Sequence, residues 1–325
     1  MKTTVSFLFA AILLLADPAA LHAADSPSGQ RHIYKYSAGQ PQEIEVYFPP
    51  NHNLSGAKAP GLILFHGGSW NGGDLEQFRY ACHYFASRGL VAATVNYRTL
   101  SKEEAAELPV IETRKRVCIT DAKSAIRWFK QHADEFGMDP GRIIAGGGSA
   151  GGHVSVLASM NPGLNDSSDP DGIDTSVAAY LLFNPAFMQT DVRDDEVNVL
   201  LHIKAPFAPA LVMFGDKDPF LRGWKMVSDK LASTGNRCIE LQIAEGQGHS
   251  FYANEPWCGV TLIAADRFLV KQGFLEGEPT LAMPVTGETL VPATSAEHEK
   301  NISQPLLLGK YEHQASGVVL CRIER

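Results

Sequence analysis

The run Arg142-Ile-Ile-Ala-Gly-Gly-Gly-Ser-Ala-Gly-Gly-His153 constrains the fold of this chain more than any other stretch. A short apolar strand, Arg142–Ala145, passes through glycines into a helical segment from Val154 to Met160. A serine on so tight a strand-to-helix turn is pushed out of the sheet with its hydroxyl exposed. The glycines of Gly147-x-Ser149-x-Gly151 keep side chains off the neighbouring backbone. The arrangement is that of a nucleophile elbow. With 29 Gly in 325 residues, roughly 0.2 such patterns arise by chance, so context must decide. The same residues also fit a dinucleotide fingerprint, Gly146-x-Gly148-x-x-Gly151. That reading needs an acidic residue about 20 positions on, at the end of a second strand. Residues Asn161–Gly172 supply turn chemistry there instead, and the dinucleotide reading fails.

Elsewhere the chain alternates strand and helix. Two alternating strands, Ile33–Ser37 and Ile44–Phe48, precede apolar runs at Gly61–Phe65, Val91–Asn96, Arg142–Ala145, Val177–Phe183, Ala210–Phe214 and Ile239–Ala244. Between them, Thr113–Phe136 carries Cys118, Ala122, Ile126, Phe129 and Ala133 at helical period, with Gly137 as its expected stop. A final helix is expected over Thr261–Gln272. Such alternation predicts a mostly parallel central sheet with helices on both faces. The 25 or so residues from Pro185 to Pro209 are long for a simple connection and are expected to form a lid or pocket wall. After Glu276 periodicity fades, ending in a strand-like Gly317–Ile323. The expected division is 1–24 as a signal peptide, 25–275 as a catalytic α/β domain, and 276–325 as an extension with no catalytic role. No internal repeat is found.

Bulk properties narrow the partners. Met1–Ala24 has Lys2, an apolar Val5–Leu15 core and an Ala-rich end, the pattern of a secretory signal with cleavage near Ala23 or Ala24. Its core is too short for a membrane span and is broken by Asp17-Pro18, and no Cys near the cleavage site suggests a lipid anchor. Export to the periplasm or medium is therefore expected, with no stable membrane anchor. The formal charge is −8, and the only basic cluster is Arg114-Lys-Arg116, so nucleic acid is not an expected partner. Five Cys without CxxC or Cys/His ligand spacing give no zinc site. Cys82 and Cys118 fall on successive crossover helices expected on opposite faces, which argues against a bond between them. The sequence leaves other disulfide pairing and the oligomeric state open.

A serine nucleophile needs a base, an orienting acid and donors for the oxyanion. The chain offers candidates at strand ends. His66-Gly-Gly-Ser-Trp70 follows Gly61–Phe65; the N–H groups of Gly67 and Gly68, with that of Ala150 after the serine, are the expected oxyanion hole. His66 is expected to hold its loop rather than act as base. Gly215-Asp-Lys-Asp218 follows Ala210–Phe214; Asp218 is the expected acid, and Asp216 its competitor, read as a turn cap. Glu245-Gly-Gln-Gly-His249 follows Ile239–Ala244 and presents His249. The order Ser149, Asp218, His249 is that of the α/β-hydrolase fold. No metal or organic cofactor is required.

These motifs, with Asn96-Tyr-Arg98, resemble an exported bacterial α/β-hydrolase esterase of the carboxylesterase and acetyl-esterase branch, near the hormone-sensitive-lipase group. The resemblance covers Ile33 to Phe274. It implies a serine esterase acting through an acyl-enzyme on short-chain, acetyl-type esters, with a small-molecule or carbohydrate ester as substrate. Ser69 departs from the pattern, which has a third glycine there. Trp70 is placed either to wall the acyl pocket or to pack in the core; Phe187, Met188, Phe220 and Phe251 pose the same choice. A prolyl-oligopeptidase-type peptidase shares the triad order but usually carries a large gating domain, for which this chain has no room. A non-catalytic binding protein on the same scaffold would lack a triad member, and none is missing.

Overall fold

The computed structural model describes residues 29–109, 113–204, 206–236 and 239–293; the expected signal segment and the strand-like 317–323 lie outside them. Among the described residues the chain forms strands β1 (Gln30–Ser37), β2 (Gln40–Tyr47), β3 (Ala59–Phe65), β4 (Val91–Val95), β5 (Met138–Gly148), β6 (Ala179–Phe183), β7 (Ala210–Gly215), β8 (Ile239–Ala244) and β9 (Val291–Pro292). The helices are α1 (Arg79–Ser87), α2 (Lys102–Ala106), α3 (Arg114–Gln131), α4 (Ala150–Met160), α5 (Val199–His202), α6 (Leu221–Ser233) and α7 (Trp257–Lys271).

All nine strands join one sheet in the order β1-β2-β4-β3-β5-β6-β7-β8-β9, parallel from β4 to β8 and antiparallel at both ends. Side chains alternate across a pleated strand, so each central strand feeds two cores. Ile63, Phe65, Val212 and Phe214 pack on one face with α3, α4 and α6. Leu62, Leu64, Leu211 and Met213 pack on the other with α1 and α7. Burial on both faces is why these strands read as unbroken apolar runs. Cys118 belongs to the first core and Cys82 to the second, and both are free thiols, on opposite faces as expected.

Several boundaries differ from expectation, each for a local reason. Helix α4 begins at Ala150 rather than Val154, because its first turn is the glycine-rich Ala150–Gly152, which has no apolar period to reveal it. Helix α3 stops at Gln131, not at Gly137; Gly137, with φ 58°, turns the chain into β5 instead. Helix α7 starts a turn earlier than expected, at Trp257. The segment after Glu276 is not wholly separate from the fold. Val291–Pro292 pair with Ile243 and Gln242 at the sheet edge, and Leu281 and Leu290 pack against the second core.

Strand order decides where chemistry can occur. From β3 the chain goes outward to β4, then returns to the other side of β3 as β5. At such a switch point the two following loops diverge and leave a crevice at the strands' carboxyl ends. The loops that diverge here are His66–Trp70 and Gly148–Ala150.

Candidate active site

Ser149 occupies the single residue between β5 and α4 with φ 51° and ψ −116°. That region is sparsely populated for a residue with a Cβ and costs about 1–3 kcal/mol. The turn is closed by Ser149 N–H donating to Phe183 O at 2.9 Å and by Ala186 N–H donating to Ser149 O at 2.9 Å. Gly151 is required: a Cβ there would lie 2.0 Å from Phe65 O.

The three strand-end residues converge. His249 Nε2 lies 2.7 Å from Ser149 Oγ, and His249 Nδ1 lies 2.7 Å from Asp218 Oδ2. A carboxylate can only accept, so Nδ1 carries the proton and Nε2 accepts from the serine hydroxyl. The Asp218 side chain is fully buried, and its Oδ1 accepts from Phe220 N–H at 2.8 Å, which fixes the carboxylate's orientation. Asp216, expected as a turn cap, has no such role at Oδ1: that atom is buried and makes no hydrogen bond among the described residues. The capping is done by Asp218 itself. Behind His249, Asn184 at the end of β6 accepts from Ser250 N–H at 3.2 Å, holding Ser250 at φ 63°. Asn184 follows an apolar run just as the triad residues do, so its position was available from the sequence although its role was missed.

The His66–Trp70 loop lies against the serine. A Cβ on Gly67 would be 3.3 Å from Ser149 Cβ. The expected Gly67 donor needs correction, however, because its N–H donates to Gln77 Oε1 at 2.5 Å and is already used. Gly68 N–H and Ala150 N–H make no hydrogen bond among the described residues and are the free donors beside the serine. Gly68 has φ 127°, and a Cβ there would meet Gly72 O at 2.2 Å, so no other residue fits this turn. Gln77 sits on a 3₁₀ turn with no spacing signal linking it to the loop, and sequence reasoning missed it.

His66 is wholly buried, its Nδ1 donates to Gly67 O at 2.8 Å, and its ring stacks on Tyr97. Burial pushes its imidazole down to about 4, which leaves it a neutral support for the loop, as expected. Trp70 is 7 % exposed and packs edge-on against His153, while Lys115 Nζ lies 4.0 Å over its ring. Of the other aromatic candidates, Phe187 and Phe251 are core residues, whereas the half-buried Phe220 ring lies 4.8 Å from that of His249.

The Pro185–Pro209 insertion contains a 3₁₀ turn, Gln189–Arg193, and α5. Ion pairs Lys115–Asp191 and Arg116–Asp194 tie it to α3, and Asn161 Nδ2 donates to Glu196 O at 2.7 Å. It is therefore anchored against the first core along the length of α4, from His153, one turn after Ser149, to Asn161 beyond the last turn.

Comparison with known proteins identifies the fold and the relatives of the chain. The family described as BD-FAE matches residues 44–184. The probable carboxylic ester hydrolase LipM of Mycobacterium tuberculosis is 31% identical over 160 residues, 48% of this chain and 34% of LipM. Such matches span about a third of the length of the curated relatives. Among solved structures, Thermogutta terrifontis esterase 2 phosphorylated by paraoxon is 31% identical with a TM-score of 0.69, covering 78% of this chain and 98% of that one. The same esterase bound to butyrate is 30% identical with a TM-score of 0.69, covering 78% and 98%. The chain belongs to the α/β-hydrolase carboxylic ester hydrolases, the serine esterases of that fold.

Proposed function

We propose that this protein hydrolyses short-chain carboxylic esters through an acyl-enzyme on Ser149. The observation that carries the reading is the unbroken chain Ser149 Oγ–His249–Asp218, with free N–H groups of Gly68 and Ala150 beside it. His249 Nε2 takes the serine proton as Oγ attacks the ester carbonyl. Asp218 holds the imidazole tautomer and stabilises the imidazolium, and the two N–H groups meet the oxyanion of the tetrahedral intermediate. The imidazolium then protonates the leaving alcohol. Water attacks the acyl-enzyme by the same route in reverse and releases the acid.

A short acyl group is favoured by the bulk of the half-buried Ser69, where the esterase pattern has glycine. A solved relative that holds butyrate fits the same size range. Export is supported by the Met1–Ala24 composition and by the disulfide at Cys258, a bond that persists in oxidising compartments.

The test is a rate series on p-nitrophenyl acetate, butyrate and octanoate, with acetylated xylan and a dipeptide amide alongside. We expect kcat/KM to peak between acetyl and butyryl and to fall by octanoyl, with Ser149→Ala inactive and an organophosphate labelling Ser149 alone. Octanoate as the best substrate would refute the short-acyl reading. Turnover of the amide above the esters would replace the esterase by a peptidase.

A further inference from the structure

Ser69 and Trp70 both hold left-handed backbone, φ 55° and 61°, immediately after the free Gly68 donor. Two consecutive residues with side chains in that region keep it only when their surroundings over-determine it. The loop's own hydrogen bonds on this side are few: Asn71 N–H donates to Gly68 O at 3.0 Å. The Trp70 side chain, by contrast, is enclosed. Its ring meets His153 edge-on at 5.3 Å between centroids and the Lys115 ammonium sits over its face, while the Trp70 backbone carbonyl accepts from Cys118 Sγ at 3.8 Å.

Asp191 organises what encloses it. Its carboxylate accepts from Lys115 Nζ, lies 3.4 Å from His153 Nε2 and accepts from Met188 N–H at 3.1 Å. Both acceptors beside His153 Nε2, the Asp191 carboxylate and Val197 O, require that nitrogen to carry the proton. Burial pushes the His153 imidazole down, so the ring against Trp70 is neutral. Three segments meet in this cluster: α3 through Lys115, α4 through His153 one turn after Ser149, and the insertion through Asp191.

We propose that Lys115, Asp191 and His153 are positioning residues for the ester hydrolysis: by fixing the Trp70 indole they hold the Gly68–Trp70 backbone in the conformation that presents the oxyanion donor. This rests on the esterase reading above and makes Trp70 a support of the loop rather than a wall of the acyl pocket. An oxyanion donor acts on charge that develops only in the transition state. Misplacing it slows chemistry while leaving ground-state binding nearly intact.

The test uses the full chain with Asp191→Asn, Lys115→Met, Trp70→Phe and Trp70→Ala. Active sites are counted by complete phosphorylation with an organophosphate, so unfolded protein does not enter the rates. We expect Asp191→Asn and Lys115→Met to lower kcat per titrated site roughly ten- to hundredfold, the scale of a small misalignment. KM should stay within about twofold of the wild-type value. The acyl-length ranking should not change, and affinity for a trifluoromethyl ketone should fall in parallel with kcat. Trp70→Phe, which keeps a ring beneath the ammonium, should restore most of the rate that Trp70→Ala loses. Should Asp191→Asn fail to fold, the Phe/Ala pair at position 70 decides the same question. Full kcat per site in Asp191→Asn, or a shifted acyl ranking at unchanged kcat in Trp70→Ala, would overturn the proposal while leaving the esterase intact. A wild-type protein that turns over no ester and takes up no organophosphate would instead remove the esterase reading itself.

Discussion

Asp216 and Asp218 lie two positions apart on one turn, and the imidazole selects between them by geometry alone. Asp218 Oδ2 sits 2.7 Å from His249 Nδ1, while its Oδ1 is held by Phe220 N–H. Replacing Asp218 by Asn would offer an amide that can also donate, which favours the wrong imidazole tautomer. Asp218→Asn should therefore lower kcat by roughly 10⁴ with the fold intact, and Asp216→Asn by no more than a few-fold. Steady-state rates of the two variants decide it; the reverse ranking would move the acid to Asp216. Gln77 acts in a complementary way. A side chain ten residues from Gly67 takes its N–H, so the oxyanion donors are set by a contact no motif contains.

At the scale of elements, α4 has the special task of presenting Ser149 at one end, and its other end is stabilised by a buried cation. Lys123 on α3 donates to Asn161 O at 2.5 Å and to Gly163 O at 2.6 Å, just beyond the last turn of α4. A positive charge there is favoured by the orphan carbonyls and the helix dipole. Burial nevertheless pushes its ammonium down to about 8. Lys123→Met would keep the packing and leave two carbonyls without their donor, at a cost of about 1–3 kcal/mol. Urea unfolding should show that loss, while kcat per titrated site stays near wild type because Ser149 is at the opposite end of the helix. A stability equal to wild type would mean water replaces the ammonium without penalty.

For the molecule as a whole, the buried histidines make stability depend on acid. His66 titrates at about 4 in the folded protein and near 6.5 when unfolded. Between those values the unfolded chain binds the extra proton, so stability rises with pH through this window. It is fully present above about pH 6.5 and is lost as pH falls towards 4, by on the order of 3 kcal/mol at most for this residue. His153, also pushed down by burial, adds a loss of the same sign. Denaturant unfolding at pH 7.5 and 4.5 should show the drop, and His66→Gln should reduce the difference between the two conditions. An unchanged difference in that variant would assign the acid sensitivity to other groups.

The sheet, its coverage on both faces and the chain order of Ser149, Asp218 and His249 were legible because each leaves a local trace. A doubly buried strand is a continuous apolar run, and a catalytic loop at its carboxyl end begins where that run stops. Helix starts were legible only where an apolar stripe reaches them, which Ala150–Gly152 lacks. The tertiary structure alone decided which N–H groups are free, that Trp70 is enclosed, and that Asp191 reaches Lys115 and His153. Those contacts join residues 76 and 38 positions apart with no periodicity between them. A hydrogen bond or ion pair depends on distance and direction in space. Sequence fixes these within a turn or two of helix or one strand, and beyond that the packing of whole elements does.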